Sequence, residues 1–317
     1  MNVVDRLGAA EETGLVLKLS VERTITVVAT MRIEAMSTMK TFLAVLERIC
    51  FLYNNVTDML TTDQHLEIKS ESARAVVSLW GAQVLQWDVR ADGEYVQTLY
   101  QGSNAKRTGI PLLFPHFGKS AKYRMHGFGR DSIWKIHRHE ESTVELYLSD
   151  ELLDDKARVE YDFKFEAHAK VSLSENKLDY ELSVRNSDVM PLPIMPGLHP
   201  YWKINHEEKT GLVINGLKEF DARKVNWTEA PPDNVYDYAG EVIVDLGEFE
   251  MRIADQSKDQ NIKRLVVWSQ TPARDLDYDF VCVEPACGAH YEIDTNPISV
   301  SPDQEWQMKV SFEFAVD

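Results

Sequence analysis

The sequence predicts an all-β protein built as one large antiparallel β-sandwich. Apolar residues alternate with polar ones in several runs, as in Val144, Leu146 and Leu148 and again over 159–165, 178–184 and 306–314. Such a period of two places one face of each strand on a core. Turn-forming residues separate the runs, and no amphipathic helix longer than three turns is evident after residue 61, so a βαβ arrangement is not expected.

The pattern changes near residue 60, which divides the chain into an extension, residues 1–58, and a β-sandwich domain, residues 59–317. Within the extension, Phe42, Val45, Leu46 and Ile49 have the spacing of a helix face. We expect the extension either to be helical and pack on the main domain or to be disordered.

Composition excludes several classes of function. The chain has 317 residues and a formal charge of -17, which disfavours nucleic acid and anionic lipid as partners. Three cysteines are too few for a disulfide framework. No apolar stretch is long enough for a transmembrane helix, and no signal peptide is evident. The sequence therefore predicts a cytoplasmic protein without nucleic-acid or membrane partners; its oligomeric state stays open.

A carboxylate occurs within an apolar strand near the end of the chain. In Phe-Val-Cys-Val-Glu-Pro at 280–285, a period of two puts Phe280, Cys282 and Glu284 on one face. A carboxylate in such a strand is costly unless it is paired or has a task. Desolvation would raise its pKa and suit it to act as a general base. The alternative is a glutamate at a strand end that points into solvent.

Two histidines lie among residues that constrain the backbone. His199 stands in a segment with four prolines between positions 191 and 200, and His126 precedes Gly127. Proline fixes the backbone dihedral φ, so the imidazole of His199 would have a defined direction, as a catalytic acid requires. A structural histidine bonded to a nearby carbonyl is the alternative for both.

Five short motifs follow one another along the chain. They are Arg-Thr-Gly-Ile-Pro at 107–111, His-Gly-Phe-Gly-Arg at 126–130, Leu-His-Pro-Tyr at 198–201, Val-Val-Trp at 266–268 and Val-Cys-Val-Glu-Pro at 281–285. Together they resemble the galactose mutarotase-like superfamily, most closely its aldose 1-epimerase and hexose-6-phosphate mutarotase branch. Each motif is weak alone, whereas their common order is specific. The resemblance covers about residues 61–315 and implies a large β-sandwich called a supersandwich.

The resemblance implies interconversion of the α and β anomers of a hexose, with His199 as acid and Glu284 as base and with no cofactor. Opening and closing a hemiacetal also calls for one acid and one base. Further substrate-binding residues implied are His126, Asp233 and Arg130, the last of which has a structural role as its alternative. Two motif positions depart from the family: Thr108 and Gly129 replace a glycine and an alanine. Threonine rarely adopts positive φ, so we expect Thr108 to change the local turn that positions Arg107.

A cluster of basic residues suggests a phosphorylated substrate. Between Lys106 and Glu140 eight basic residues face two acidic ones, a net charge near +6 in an acidic chain. Arginine matches phosphate oxygens, and Arg107 is the preferred ligand. Ordinary solvated loop residues are the alternative, and a free hexose stays open as substrate. Cys282, Cys287 and His290 lack the ligand spacing of a familiar metal site, so no metal is expected.

Other functions fit the same fold. A non-catalytic protein that binds or senses a sugar or sugar phosphate would need no matched acid and base. A glycosidase would need two carboxylates at a defined separation, whereas the motifs offer one carboxylate and a histidine. The presence of both His199 and Glu284 is the feature that favours the mutarotase.

Overall fold

The computed structural model describes residues 64–103 and 107–316. The predicted extension, residues 1–58, lies outside the described residues. In the part of the chain that the structure covers, no helix is long and apolar enough to cross a membrane.

Antiparallel sheets make up most of the structure. A four-stranded sheet contains, in order, β1 (His65–Lys69), β2 (Ala73–Ser78), β3 (Val84–Ala91) and β4 (Glu94–Gln97). A two-stranded sheet pairs β10 (Leu192–Ile194) with β19 (Ile298–Val300).

Two larger sheets form the body of the fold. The six-stranded sheet contains β5 (Leu112–Leu113), β11 (Gly197–Leu198), β12 (Tyr201–Lys203), β14 (Asp233–Asp237), β17 (Arg264–Ser269) and β18 (Phe280–Ala286). The eight-stranded sheet has the order β13 (Val213–Asn215), β15 (Glu241–Asp245), β16 (Glu250–Asp255), β20 (Glu305–Ala315), β9 (Lys177–Asn186), β8 (Phe165–Ser174), β7 (Thr143–Ser149) and β6 (Lys135–His139). The predicted fold class is confirmed.

Helices are short connections between the strands. The α-helices are α1 (Asp155–Glu160) and α2 (Glu292–Thr295). The 3-10 helices span Gly129–Asp131, Asp150–Leu152, His206–Gly211 and Ala222–Lys224.

The main core lies where the inner faces of the sheets meet. The predicted alternation is seen in β9, where Leu178, Tyr180, Leu182 and Val184 are fully buried. Strand β12 packs on β20 through Trp202 and Phe312, whose ring centroids are 5.3 Å apart. Burying these apolar faces is the main driving force for the fold.

Strand β18 in the six-stranded sheet separates the core from a second layer. Val281 and Val283 belong to the main core, whereas Phe280 and Cys282 pack in a separate cluster with Tyr201. Every residue of β18 is buried. Alternation along this strand therefore divides its side chains between the core and the opposite face, which also carries Glu284.

One predicted strand is wrong. The alternation over 159–165 suggested a continuous strand, but residues 155–160 form α1 and Val159 is 84 % exposed. The side chain of Asp154 accepts a hydrogen bond from the Ala157 amide at 2.7 Å, which caps the first turn of the helix. Strand β8 begins only at Phe165.

Candidate active site

A cavity of about 300 Å³ opens on the face of the six-stranded sheet that carries Glu284. All six residues predicted for the site line this cavity. The complete lining is Arg107, Phe117, Lys119, Met125, His126, Arg130, His199, Tyr201, Asp233, Val266, Trp268, Glu284 and His290.

A larger cavity, of about 630 Å³, lies beside β1 and β2 and includes Arg74, Tyr95 and His139 in its lining. His199 and Glu284 line the smaller cavity, which is therefore the better candidate for catalysis. A catalytic cavity is identified by the convergence of suitable side chains and not by its size.

Strand register brings His199 and Glu284 together. Gly197 pairs with Ala286, and Tyr201 pairs with Cys282. His199 is midway between Gly197 and Tyr201, and Glu284 is midway between Cys282 and Ala286. The two side chains therefore face each other. Nε2 of His199 lies 3.5 Å from Oε1 of Glu284. The two residues are 7 % and 1 % exposed. The predicted candidates thus form a close buried pair.

Burial acts on both members of the pair by disfavouring charge. It raises the pKa of Glu284 well above its ordinary value; the nearby Asp233 raises it further, and Arg130 lowers it. Burial also lowers the pKa of His199 to about 3, and the positive charge of Arg130 acts in the same direction. We conclude that burial favours a protonated carboxyl on Glu284 and a neutral imidazole on His199.

His126 stands next to His199, with ring centroids 5.8 Å apart and nearly perpendicular planes. Its backbone has a φ of 68°, and its Nδ1 accepts a hydrogen bond from the Gly118 amide at 3.1 Å. Burial is the main reason that its pKa falls to about 2. The neutral ring therefore carries its proton on Nε2, which is left as a hydrogen-bond donor.

Arg130 enters the cavity from the 3-10 helix Gly129–Asp131. Its Nε is buried and has no hydrogen-bond partner among the described residues. Gly129, the departure from the family motif, has a steric reason: a Cβ here would lie 2.8 Å from that of Phe114. The short loop is thus packed tightly and holds Arg130 in position.

Arg107 forms an ion pair with Asp275, and its guanidinium carbon lies 5.9 Å from the ring centroid of Trp268. The departure at Thr108 causes no strain of the expected kind, because the positive φ, 67°, falls on Gly109. Asp233 begins β14, is exposed and lies opposite Trp268 in the strand register.

The basic segment does not form one patch. Arg124 is paired with Glu160 and Arg138 with Glu140, and Lys106 lies outside the described residues. Arg107, Lys119 and Arg130 line the cavity. The cationic character of the site therefore comes from these three side chains.

Sequence reasoning missed several aromatic residues of the cavity, among them Tyr201, Trp268 and His290. Tyr201 stacks on His199 with ring centroids 4.7 Å apart, and Trp268 meets the same imidazole edge-on at 5.6 Å. His290 accepts a hydrogen bond from the Lys119 amide at 3.1 Å. Cys282 lies on the same strand face as Glu284 and pairs with both Tyr201 and Trp268. The alternation along this strand could therefore have indicated these two aromatic residues. Nothing in the sequence indicates His290.

His199 and Glu284 have a neighbour, Cys282, that could bind a metal ion together with them. His199, Cys282 and Glu284 each offer one ligand atom, and these atoms lie within 4.8 Å of one another. Burial raises the pKa of the Cys282 thiol, which favours the protonated form over the thiolate that metals bind. Cys287, a candidate in the sequence, is buried and does not belong to this cluster.

Comparison with known proteins places the geometry in context. A family model described as aldose 1-epimerase matches residues 64–313. A putative glucose-6-phosphate 1-epimerase of Salmonella typhimurium is 26 % identical over 178 residues, which are 53 % of this chain and 55 % of that protein. The chain thus spans about half the length of this curated relative.

Solved structures support the fold. A galactose mutarotase related enzyme from Lactobacillus acidophilus aligns with a TM-score of 0.64 at 18 % identity, over 80 % of this chain and 97 % of that one. A putative aldose 1-epimerase from Escherichia coli K12 aligns with a TM-score of 0.63 at 14 % identity, over 79 % and 98 %.

Proposed function

The chain belongs to the aldose 1-epimerase family, and from this premise we propose that it is a sugar mutarotase. It interconverts the α and β anomers of a hexose 6-phosphate or a free hexose, with Glu284 as general base and His199 as general acid. The observation that carries the proposal is the buried contact of 3.5 Å between His199 Nε2 and Glu284 Oε1 at a cavity of about 300 Å³.

Ring opening needs two proton transfers. Glu284 takes the proton of the C1 hydroxyl, a C1=O bond forms, the bond from C1 to the ring oxygen breaks, and His199 protonates that oxygen. After rotation about the C1–C2 bond the transfers run backwards and close the other anomer. Each positioned transfer contributes about 10²–10⁴-fold to the rate.

Burial favours these transfers. The reactive form of the pair, a Glu284 carboxylate and a His199 imidazolium, arises from the resting form when the Glu284 proton moves to Nε2 of His199 across their 3.5 Å contact. In the open-chain state Glu284 is again protonated and His199 is again neutral. The pKa directions of both groups favour the second state. Desolvation therefore drives both protons in the direction of ring opening, while Arg130 offsets part of the cost of the initial carboxylate.

The other lining residues orient the sugar. His126 has its Nε2–H free to donate to a sugar oxygen, and Asp233 offers a carboxylate to hydroxyl groups at the cavity edge. Trp268 provides an aromatic surface against which a sugar face packs. Such positioning is what makes two coupled proton transfers efficient.

A phosphorylated hexose is the favoured substrate. Arg107 and Lys119 both line the cavity, and guanidinium and ammonium groups suit a phosphate. Phosphate must compete with Asp275 for Arg107. A dianion is better suited than a neutral hydroxyl to displace a partly exposed carboxylate. The similarity to the putative glucose-6-phosphate 1-epimerase of Salmonella typhimurium agrees with this substrate class.

Exchange NMR tests the proposal by comparing anomerisation of glucose 6-phosphate and glucose with the spontaneous rate. Acceleration by the wild type, lost in both His199→Ala and Glu284→Gln, would support it. The exposed Glu305→Gln is a matched control that should keep full activity. Binding of either sugar with no acceleration would refute catalysis and leave a sugar-binding or sensing protein.

A further inference from the structure

We propose that His137, Glu145 and His168, on the eight-stranded sheet, form a binding site for a zinc-type divalent metal ion. Each residue offers one ligand atom, and these atoms lie within 4.8 Å of one another. None of the three lines the candidate catalytic cavity. The site is therefore independent of the proposed mutarotase chemistry.

Strand geometry places two of the ligands on the outer face of the sheet. Glu145 on β7 lies between the buried Val144 and Leu146, and His168 on β8 lies between the buried Ala167 and Ala169. Because side chains alternate across a strand, Glu145 and His168 both point away from the core. Their strands are direct neighbours in the sheet.

His137 reaches the same place through a β-bulge. The register of β6 against β7 shifts between Ile136 and Arg138, so His137 is the extra residue and Arg138 lies opposite Glu145. A bulge re-aims a side chain that regular pairing would direct elsewhere. The guanidinium of Arg138 is drawn to Glu140 at 2.5 Å, which reduces its competition for Glu145.

Contacts within the cluster already orient it. Nδ1 of His168 lies 2.9 Å from Oε1 of Glu145, and the ring centroids of His137 and His168 are 4.8 Å apart with planes at 86°. Tyr147 packs on His168 at 5.3 Å and limits its rotation. A carboxylate that fixes an imidazole is a common feature of zinc sites, either as a ligand or as the support of one.

The ligand set indicates the class of metal. Two imidazoles and one carboxylate suit zinc and its neighbours in the first transition row, whereas Mg²⁺ and Ca²⁺ prefer oxygen alone. Zinc bonds of about 2.0–2.2 Å require ligand atoms closer than 4.8 Å, so roughly 1 Å of side-chain movement is needed. His137 is exposed and free to make that adjustment. Three protein ligands leave a coordination position open to solvent.

Metal binding would stabilise the exposed edge strand β6. All five residues of β6 are exposed, and this strand is the last in its sheet. An ion held by β6, β7 and β8 links three strands and stabilises the folded state by mass action. At a zinc concentration of about 100 times Kd, we expect Tm to rise by about 5 to 10 °C.

Titration of the full-length protein with Zn²⁺ tests the site, with calorimetry for affinity and thermal unfolding for Tm. We expect Zn²⁺ to bind and raise Tm, and His137→Ala and His168→Ala each to weaken binding at least about 10-fold. His139→Ala, at a nearby exposed histidine of β6, is the matched control and should bind as the wild type does. Mutarotase activity, if present, should be unchanged in His137→Ala.

Two results would overturn the site. One is the absence of Zn²⁺ binding at 100-fold excess over the protein. The other is undiminished binding in His137→Ala together with loss in Cys282→Ala, which would assign the ion to the cluster in the catalytic cavity. Because His137 is exposed, its substitution is not expected to impair folding, and it decides the case if His168→Ala folds poorly. Failure of the mutarotase assay would leave these outcomes unaffected.

Discussion

Glu284→Gln should make the protein more stable as it makes it inactive. Glu284 is 1 % exposed, and its Oε1 lies 3.5 Å from Nε2 of His199. Glutamine keeps the size of the side chain but has no carboxylate to accept the proton of the C1 hydroxyl. We expect kcat for anomerisation to fall about 10²–10⁴-fold.

The gain in stability should depend on pH. Burial raises the pKa of Glu284 in the folded state, so the unfolded chain loses this proton first. The stabilising contribution of the protonated group is thus lost as pH rises above the unfolded value of about 4.3. For each pH unit up to the folded pKa, the free energy of unfolding of the wild type falls by about 1.4 kcal/mol relative to that of the glutamine variant. The contributions of the other titratable groups are the same in both proteins and cancel. Above pH 5 the difference should therefore grow with pH until the folded pKa of Glu284 is reached.

Thermal unfolding at several pH values measures this difference. For a domain of this size, each 1 kcal/mol of this difference corresponds to roughly 2–4 °C in Tm. Glu305→Gln, at an exposed position of β20, should show no such trend. A constant difference between Glu284→Gln and wild type from pH 5 to 7 would refute the view that the folded protein holds this proton.

Three further predictions concern the phosphate, metals and the backbone. Arg107→Gln should raise KM for glucose 6-phosphate about 10-fold or more and leave KM for glucose within about twofold, because one charge-assisted contact is worth about 1.5–3 kcal/mol. Steady-state kinetics on both sugars measures this, and an equal rise of KM for the two sugars would contradict it. Dialysis against EDTA should leave kcat unchanged, since the proposed mechanism needs only His199 and Glu284; lost activity restored by Zn²⁺ would place a metal at His199, Cys282 and Glu284. Gly109→Ala should destabilise the fold by about 1–3 kcal/mol in urea unfolding, because φ is 67° and a Cβ would clash with the Val84 carbonyl oxygen; an unchanged midpoint would contradict it.

Sequence periodicity was reliable where strands are long and have one face on the core. Strand β9 alternates as predicted, and β18 directs Phe280, Cys282 and Glu284 to one face. The pattern failed over 159–165, where Tyr161 and Phe165 are buried at the end of a helix and the start of a strand. A capped helical turn and a strand start can imitate a period of two when the run is this short.

The contact between His199 and Glu284 could not be predicted from the sequence, because it depends on long-range strand register. His199 and Glu284 belong to segments that meet only when β11 and β12 align on β18. The partner of Arg107 was equally hidden: Asp275 lies in a loop with no periodic pattern, and its contact is set by the fold. Local residues predicted which groups could do chemistry; tertiary pairing decides what each one touches.

The two faces of β18 explain how the fold tolerates a costly site. A buried carboxyl opposes folding unless it is fully paired, and Glu284 has a single imidazole at 3.5 Å. On the other face of the same strand, Val281 and Val283 are fully buried in the main core. Each such apolar side chain contributes about 1.5–3 kcal/mol by leaving water. Because one strand carries both the core residues and Glu284, core packing holds Glu284 beside His199 in the desolvated position that its proposed role as a base requires. The burial that perturbs the pKa of Glu284 lowers stability at this one residue, and the core residues of the same strand offset that loss.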